Sequence, residues 1–320
     1  REREREMSHV ALSASHLPCP AATARSSSSS QSTSHSSFLH HQRLPPPRPS
    51  KEVRRPPAFT IRASADKESV LREFRNRRAL KIISGLQNLN KENVASVVTA
   101  ADKGGATHVD IACEPELVKL AVSLTPLPVC VSSVDPPAFL PAVEAGAQMI
   151  EIGNYDSFYE MGRHFSPEEV LDLTRWARGI LPHVALSVTV PHVLSLPDQV
   201  KLAELLEQEG ADVIQTEGGK CSNPTEPGVL GLIEKATPTL AAAYSISRAV
   251  RVPVMCSSGL SAVTAPMALA AGAAGVGVGS AVNKLNDVVA MVAEVRSISD
   301  SLRLSASYTD VVKIGNSWRK

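Results

Sequence analysis

The chain has 320 residues, of which 43% are hydrophobic, and it carries 33 basic against 32 acidic side chains. The charges are unevenly placed: ten basic but only four acidic residues precede residue 66, which leaves 23 basic against 28 acidic residues in the rest of the chain. A mildly acidic body excludes the basic face that nucleic-acid binding requires, and no run approaches the roughly 18 apolar residues of a membrane span, so we expect a soluble protein.

Residues 1–65 have the composition of a removable leader. Arg and Glu alternate before Met7, as in a translated dinucleotide repeat, so we take Met7 as the natural start. Residues 7–51 contain no Asp or Glu and are rich in Ser, Pro, His and Arg, which cannot form a buried core. An acid-free, Ser-rich leader without a hydrophobic run of about 7 to 15 residues is typical of a plastid transit peptide. We expect residues 1–65 to be disordered and removed near residues 61–65 in the chloroplast; an untargeted disordered tail is the alternative.

Short β-branched runs alternate with helical patterns beyond residue 65, as in the βαβ units of a parallel sheet. An amphipathic segment at 69–78 is predicted to cover the bottom of the fold. Eight strands are predicted at 80–84, 108–112, 129–133, 149–153, 184–190, 212–217, 252–257 and 275–280. Helices are predicted at 92–103, 116–124, 138–145, 167–179, 197–209, 239–250, 266–271 and 287–301.

Eight strand-and-helix units in about 255 residues match the size of a closed (β/α)8 barrel. A doubly wound open sheet usually has fewer strands and a Gly-rich first turn, which residues 84–86 lack. We therefore predict an α/β protein with a TIM barrel over residues 66–306 and a C-terminal tail over 307–320.

Four cysteines follow the leader, and none forms a C-x-x-C pair. They are Cys113, Cys130, Cys221 and Cys256. Wide spacing in an intracellular compartment indicates reduced thiols rather than a disulfide framework or a zinc site. No metal site is predicted.

The segments around the seventh and eighth strands are rich in Gly and Ser, and they resemble the phosphate-binding half of aldolase-type and flavin mononucleotide-binding barrels. Glycines there let backbone N–H groups approach an anion, and a short helix beginning near Ser280 points its positive end at the same place. The predicted phosphate ligands are Ser257, Ser258, Gly259, Gly277, Gly279 and Ser280. The alternative is that these glycines only thin a tightly curved strand for packing.

Charged side chains interrupt the apolar strands on the other side of the predicted barrel mouth. Side chains alternate along a strand, so Glu151 is expected to face away from its apolar neighbours and into the barrel, as are Asp110 and Gln215. One lysine, Lys81, among carboxylates in a semi-dry interior is suited to acid, base or amine chemistry. The predicted catalytic residues are therefore Lys81, Asp110 and Glu151; a purely structural ion-pair network is the alternative.

Further polar residues near the same mouth are predicted to contact substrate, and a long Gly- and Pro-rich sixth loop, 215–228, is predicted to be a lid or ligand loop. The predicted contacts are Asn154, Thr189, Gln215, Glu217 and Lys220. Cys221 as a nucleophile and His192 as an acid or base are further candidates; the alternatives are an inert thiol and a surface-loop histidine without a catalytic role. Asn154 together with Asp156 also fits an ordinary surface turn.

Four segments resemble the hypothetical chloroplast reading frame twenty-three family, whose members occur in cyanobacteria, algal plastid genomes and plant nuclei. They are KIISGL at 81–86, HVDIA at 108–112, EIGNYD at 151–156 and IQTEGG at 214–219. The most specific stretches are QTEGG at 215–219 and GVGSAV at 277–282. The resemblance covers residues 70–302 and implies an aldolase-type barrel in the plastid, without implying a reaction.

Our hypothesis is an enzyme that binds a small phosphorylated metabolite and performs aldolase-, isomerase- or synthase-type carbonyl or proton-transfer chemistry. Flavin mononucleotide, held by its phosphate at the same glycines, is a variant. The rival is a non-catalytic metabolite sensor or assembly protein, and fold alone does not separate the two.

Overall fold

The computed structural model describes residues 59–219 and 224–317. Within them, eight parallel strands close into a barrel in chain order, β1 pairing with β8. The strands are β1 (Ala79–Ile83), β2 (His108–Ala112), β3 (Val129–Ser133), β4 (Met149–Ile152), β5 (Ala185–Thr189), β6 (Val213–Gln215), β7 (Val254–Ser257) and β8 (Gly275–Val278). The predicted TIM barrel is confirmed.

The strands alternate with helices that pack on the outside of the barrel. The helices are α1 (Phe59–Arg75), α2 (Lys91–Gly104), α3 (Pro115–Leu124), α4 (Phe139–Glu144), α5 (Asp156–Tyr159), α6 (Pro167–Ile180), α7 (Leu196–Gln208), α8 (Gly228–Ala249), α9 (Ala265–Ala271), α10 (Ser280–Asn283) and α11 (Val288–Ser317). A single 3-10 turn, Pro136–Ala138, leads into α4. No helix in the described residues is long and apolar enough to cross a membrane.

Local sequence signals explain where several helices begin. The side chain of Ser166 accepts a hydrogen bond from the N–H of Glu169, and Pro167 occupies the first turn of α6. Asn90 caps α2 in the same way through the N–H of Asn93. These caps satisfy N–H groups that the helix itself leaves unpaired.

The bottom of the barrel is closed by α1. Val70, Leu71 and Phe74 of this helix are buried against inward-facing strand residues such as Met149 and Met255. A separate apolar layer between the strands and the outer helices forms the main core. Because these apolar side chains and His108 fill the lower part of the barrel, the charged interior side chains lie above them, nearer the C-terminal ends of the strands.

Two helices are longer than the sequence pattern predicted, and one was missed. Helix α8 begins at Gly228 rather than 239, because it tolerates Pro238 in its interior, where we expected a helix start. Helix α11 continues to Ser317 instead of stopping at 301. The four-residue helix α5 is too short to give a periodic signal. The boundaries at 65/66 and 306/307 remain predictions, and residues 1–58 lie outside the described residues.

Candidate functional site

A cavity of about 600 Å³ lies at the C-terminal ends of β1, β7 and β8, the end at which barrels of this class carry their active sites. Its lining includes all the residues predicted to hold phosphate, namely Ser257, Ser258, Gly259, Gly277, Gly279 and Ser280. Asn154, a predicted substrate contact, also lines it. Phosphate binding by these residues stays a prediction, and the structure adds that they converge on one cavity.

The glycines of this corner serve both packing and cavity shape. Gly259 has φ +69°, and a Cβ there would lie 2.6 Å from the carbonyl oxygen of Lys235, so the position accepts only glycine without strain. A Cβ at Gly277 would lie 2.8 Å from Ser257 Oγ. Gly275, which is not in the lining, is explained by packing alone, because a Cβ there would lie 2.5 Å from that of Ala79.

Backbone donors and positive charge are both available at the cavity wall. The N–H groups of Gly259, Gly279 and Ser280 make no hydrogen bond within the described part of the chain. Two lysines, Lys235 and Lys284, are also in the lining. Free amides and ammonium groups are the donors that bind phosphate oxygens.

Sequence reasoning missed both lysines and the polar loop after β1. Lys235 lies inside α8 and Lys284 directly follows α10, where lysine is an ordinary surface residue and gives no signal. The loop residues 84–88 and Asn283 line the cavity as well. The polar composition of that loop was the available clue.

The residues predicted to be catalytic form one buried cluster. Lys81 Nζ lies 3.0 Å from Asp110 Oδ2 and also donates to Glu151 Oε2, and all three side chains are at most 1% exposed. Ser132 Oγ donates to Asp110 Oδ1 over 2.6 Å, and Gln215 Nε2 donates to Glu151 Oε1 over 2.7 Å. The strand alternation that predicted inward side chains thus brings these residues together, although it does not test their role.

The charges of this cluster determine what Lys81 can do. Burial by itself lowers the pKa of Lys81, but the carboxylates of Asp110 and Glu151 outweigh it and raise that pKa above its usual value. Burial raises the pKa of Glu151, against the opposing effect of Lys81. Imine formation needs a neutral amine. A lysine held as ammonium between two carboxylates is therefore suited to electrostatic stabilisation rather than Schiff-base chemistry.

Asn154 separates this cluster from the cavity. Lys81, Asp110 and Glu151 are not in the cavity lining, whereas Asn154 is. The side-chain amide of Asn154 donates to Ser132 Oγ over 2.8 Å and to Glu151 Oε1 over 3.2 Å. Its backbone has φ +62°, a conformation that asparagine tolerates better than most residues. Asn154 is thus the contact between cavity and charged interior.

The remaining predicted substrate contacts lie beside this network. Thr189 Oγ1 accepts a hydrogen bond from Gln215 Nε2 over 3.0 Å, and Gln215 Oε1 is buried without a partner in the described residues. Thr189, Gln215 and Glu217 are buried and are not in the cavity lining. Lys220 and Cys221 lie outside the described residues.

Glu217 belongs to a second polar cluster at the barrel mouth. Its Oε2 accepts hydrogen bonds from His192 Nδ1 over 3.0 Å, from the N–H of His192 over 3.3 Å and from Tyr159 OH over 3.1 Å. The Tyr159 ring meets the His192 ring edge-on at 4.8 Å. Burial lowers the pKa of His192, but the hydrogen bond to Glu217 and the negative charges of Glu217 and Asp156 together outweigh it, and the net shift is upward.

A family model described as "Protein of unknown function (DUF561)" matches residues 65–308. The chain is 38% identical over 220 residues to "Uncharacterized protein ycf23" of Porphyra purpurea. The matched region is 69% of this chain and 83% of that protein. It is 41% identical over 233 residues to the protein of the same name from Cyanophora paradoxa, covering 72% and 96%.

Solved structures with a similar fold include "QR15, an Aldolase", at 22% identity and a TM-score of 0.50, covering 70% of this chain and 94% of that one. (S)-3-O-geranylgeranylglyceryl phosphate synthase from Thermoplasma acidophilum, solved with its substrate sn-glycerol-1-phosphate, has 14% identity and a TM-score of 0.50, covering 73% and 97%. At these identities the likeness shows the fold alone.

Proposed function

The chain belongs to the DUF561 family, as the resemblance of its motifs predicted, and we propose that it binds a small phosphorylated metabolite at the mouth of its barrel and acts on it. The reaction class we propose is carbonyl or proton-transfer chemistry of the aldolase, isomerase or synthase type. The observation that carries the proposal is one cavity on which free backbone amides, serine hydroxyls and two lysines converge.

The size and charge of the cavity support this ligand class. Pockets for small molecules typically enclose about 300 to 1,000 Å³, and this cavity has about 600 Å³. Its charged lining consists of Lys235 and Lys284 against Asp156, which favours an anion. The synthase from Thermoplasma acidophilum has a phosphate ester as its substrate; we propose the same ligand class here on the strength of this chain's own cavity.

We assign the buried trio an electrostatic role in this reaction. Lys81 remains an ammonium that is ion-paired with both Asp110 and Glu151. Because the side-chain amide of Asn154 donates a hydrogen bond to Glu151, the cluster polarises this amide at the edge of the cavity. The amide of Asn154 is then the group that touches the substrate, and the trio fixes its orientation. Thr189 and Gln215 support the same network from β5 and β6.

The burial of the trio also favours a second candidate, a metabolite-binding sensor or assembly protein without chemistry. Lys81, Asp110 and Glu151 are absent from the cavity lining, and a buried ion-pair network serves structure as readily as catalysis. Tight binding of a phosphorylated compound without turnover would favour the sensor.

Flavin mononucleotide is a variant of the same proposal, with its phosphate in the glycine corner. Yellow absorbance of the purified protein, and release of flavin on denaturation, test this variant directly. A colourless protein that retains another phosphorylated molecule in native mass spectrometry favours the metabolite.

We propose that the protein acts in the chloroplast stroma, because the leader is acid-free and Ser-rich over residues 7–51. A fusion of residues 7–65 to a fluorescent protein, offered to isolated chloroplasts, tests the targeting. Protection of a shortened product from external protease is the expected result, and an unprocessed, accessible fusion contradicts it.

The binding proposal is tested by calorimetric titration with inorganic phosphate and with glycerol phosphate. Lys235→Met removes one cavity cation and is expected to weaken binding about tenfold, equivalent to about 1.4 kcal/mol. Lys201→Met, an exposed lysine of α7, is the matched control and should bind as wild type. Absence of binding by the wild-type protein, or equal binding by both variants, contradicts the proposed site.

A further inference from the structure

The pairing of His192 with Glu217 is not used by the function proposed above, and its geometry resembles a catalytic base held by an orienting carboxylate. Glu217 is 4% exposed and accepts hydrogen bonds from His192 and Tyr159 on one oxygen, Oε2. An ionised carboxylate only accepts, so His192 Nδ1 must donate to it. Nε2 then carries the lone pair of the neutral ring.

The Nε2 edge of this ring, opposite the edge bound to Glu217, packs against Gly219 of the cavity wall, and His192 itself is not in the cavity lining. A Cβ built on Gly219, which lines the cavity, would lie 2.6 Å from His192 Nε2. A Cβ built on the preceding Gly218 would lie 3.3 Å from the Cβ of Ser258, in the predicted phosphate corner. Consecutive Cα atoms are about 3.8 Å apart, so Nε2 lies at most roughly 13 Å from Ser258 Cβ. For His192 to act on it, a small molecule anchored there by its phosphate must reach Nε2 past Gly219.

We infer that His192 is the general base for a phosphorylated carbonyl compound, with Glu217 as its positioning residue. This inference rests on the proposed function, because the phosphate corner must hold the substrate. In the step, Nε2 takes the proton from the carbon next to the carbonyl, the C–H electron pair forms the C=C bond of an enediolate, and the carbonyl oxygen takes the negative charge. Return of a proton from the imidazolium, after exchange with water, restores the carbonyl compound, so no oxidant or reductant is needed.

A divalent cation offers another explanation of the cluster, because ligand atoms of Asp156, His192 and Glu217 lie within 4.8 Å of one another. Against it, Glu217 Oε2 already accepts three hydrogen bonds, two of them from His192, so protein donors occupy the acceptor positions of this oxygen. The charged or titratable groups that face His192 are Glu217 after β6 and Asp156 and Tyr159 of α5. The base assignment accounts for all these contacts without an ion.

The experiment measures deuterium incorporation next to the carbonyl of glycerone phosphate in D2O, by proton NMR, with the full-length chain. His192→Gln is expected to lower the exchange rate about 10² to 10⁴-fold, the usual contribution of a general base. Glu217→Gln is expected to move the rising limb of the pH–rate profile to lower pH, because the carboxylate that raises the pKa of His192 is gone. His183→Gln, at an exposed histidine, is the matched control and should exchange as wild type.

A calorimetric titration with inorganic phosphate distinguishes failure of the proposed function from failure of the general-base inference. If the wild-type protein does not bind phosphate, the proposed function fails. If it binds phosphate but shows no exchange above buffer, or if His192→Gln exchanges as fast as wild type, this inference is overturned while the binding site survives. Loss of exchange with EDTA and recovery with Mn²⁺ also overturns it, because the cluster would then be a metal site.

Discussion

His108 should make the stability of the barrel depend on pH between neutrality and about pH 4. Its ring is 1% exposed, lies 4.9 Å from the ring of Phe74, and contacts the carbonyl of Val70 through Nε2 over 2.9 Å. A carbonyl only accepts, so Nε2 carries a proton and Nδ1 is free of one when the ring is neutral. Burial, assisted by the nearby Lys81 ammonium, lowers the pKa of His108 to about 4.

The sign and size of the effect follow from this shift. Between an unfolded pKa near 6.5 and the folded value, the unfolded chain binds a proton at this imidazole that the folded chain does not. The free energy of unfolding therefore falls as the pH falls, by about 1.4 kcal/mol per unit and about 3 kcal/mol in total. Above pH 6.5 the contribution is constant. Glu151 works in the opposite direction, because its raised pKa favours the folded state on acidification.

Urea denaturation at several pH values isolates the histidine if wild type is compared with His108→Gln. Glutamine keeps an N–H in the position of Nε2 but does not titrate, so the difference between the two curves cancels Glu151 and all shared groups. We expect wild type to lose about 2 to 3 kcal/mol more than the variant between pH 7 and 4.5. His183→Gln, at an exposed site, should follow wild type. Parallel pH dependence of wild type and His108→Gln would refute the reasoning.

Three further changes test other parts of the account by urea denaturation and phosphate titration. Gly259→Ala places a Cβ against a backbone carbonyl at a residue with φ +69°. We therefore expect the free energy of unfolding to fall by about 2 kcal/mol and phosphate binding to weaken. Unchanged phosphate affinity would mean that Gly259 is not part of the site. Asn154→Ala removes the hydrogen bonds to Ser132 and to the buried carboxylate of Glu151 and should cost about 2 kcal/mol, whereas a neutral result would mean that water replaces the amide. Phe74→Ala should lower the free energy of unfolding by about 3 to 5 kcal/mol, because this buried ring closes the bottom of the barrel. Leu230 is 61% exposed, so Leu230→Ala should change that free energy by less than about 0.5 kcal/mol. Similar losses for both variants would contradict the packing described above.

The barrel was predictable because each strand is an apolar β-branched run with clear helical patterns on either side. Strand boundaries at 108–112 and 129–133 were predicted without error. Alternation along strands also predicted that Asp110, Glu151 and Gln215 face the barrel interior. Alternation did not predict how far each inward-facing residue lies from the cavity. The charged residues in the middle of the strands are outside the cavity lining, whereas Asn154, which follows β4, is part of it.

Other features depend on contacts between distant segments, which no local pattern encodes. His192 and Glu217 are 25 residues apart and meet only because β5 and β6 are neighbours whose ends converge. Lys235 is part of α8 because this helix begins at Gly228, eleven residues before the predicted start at 239. The glycine corner was found because sparse side chains at the ends of β7 and β8 are themselves a sequence signal.

The central claim is that backbone amides at the ends of β7 and β8 hold a phosphate. Amide chemical shifts of ¹⁵N-labelled protein, recorded during titration with inorganic phosphate, report on those groups directly. We expect the amides of Gly259, Gly279 and Ser280 to shift most and to saturate together with one dissociation constant. Saturable binding that moves amides elsewhere and leaves these three unchanged, or no saturable shifts at all, would contradict it.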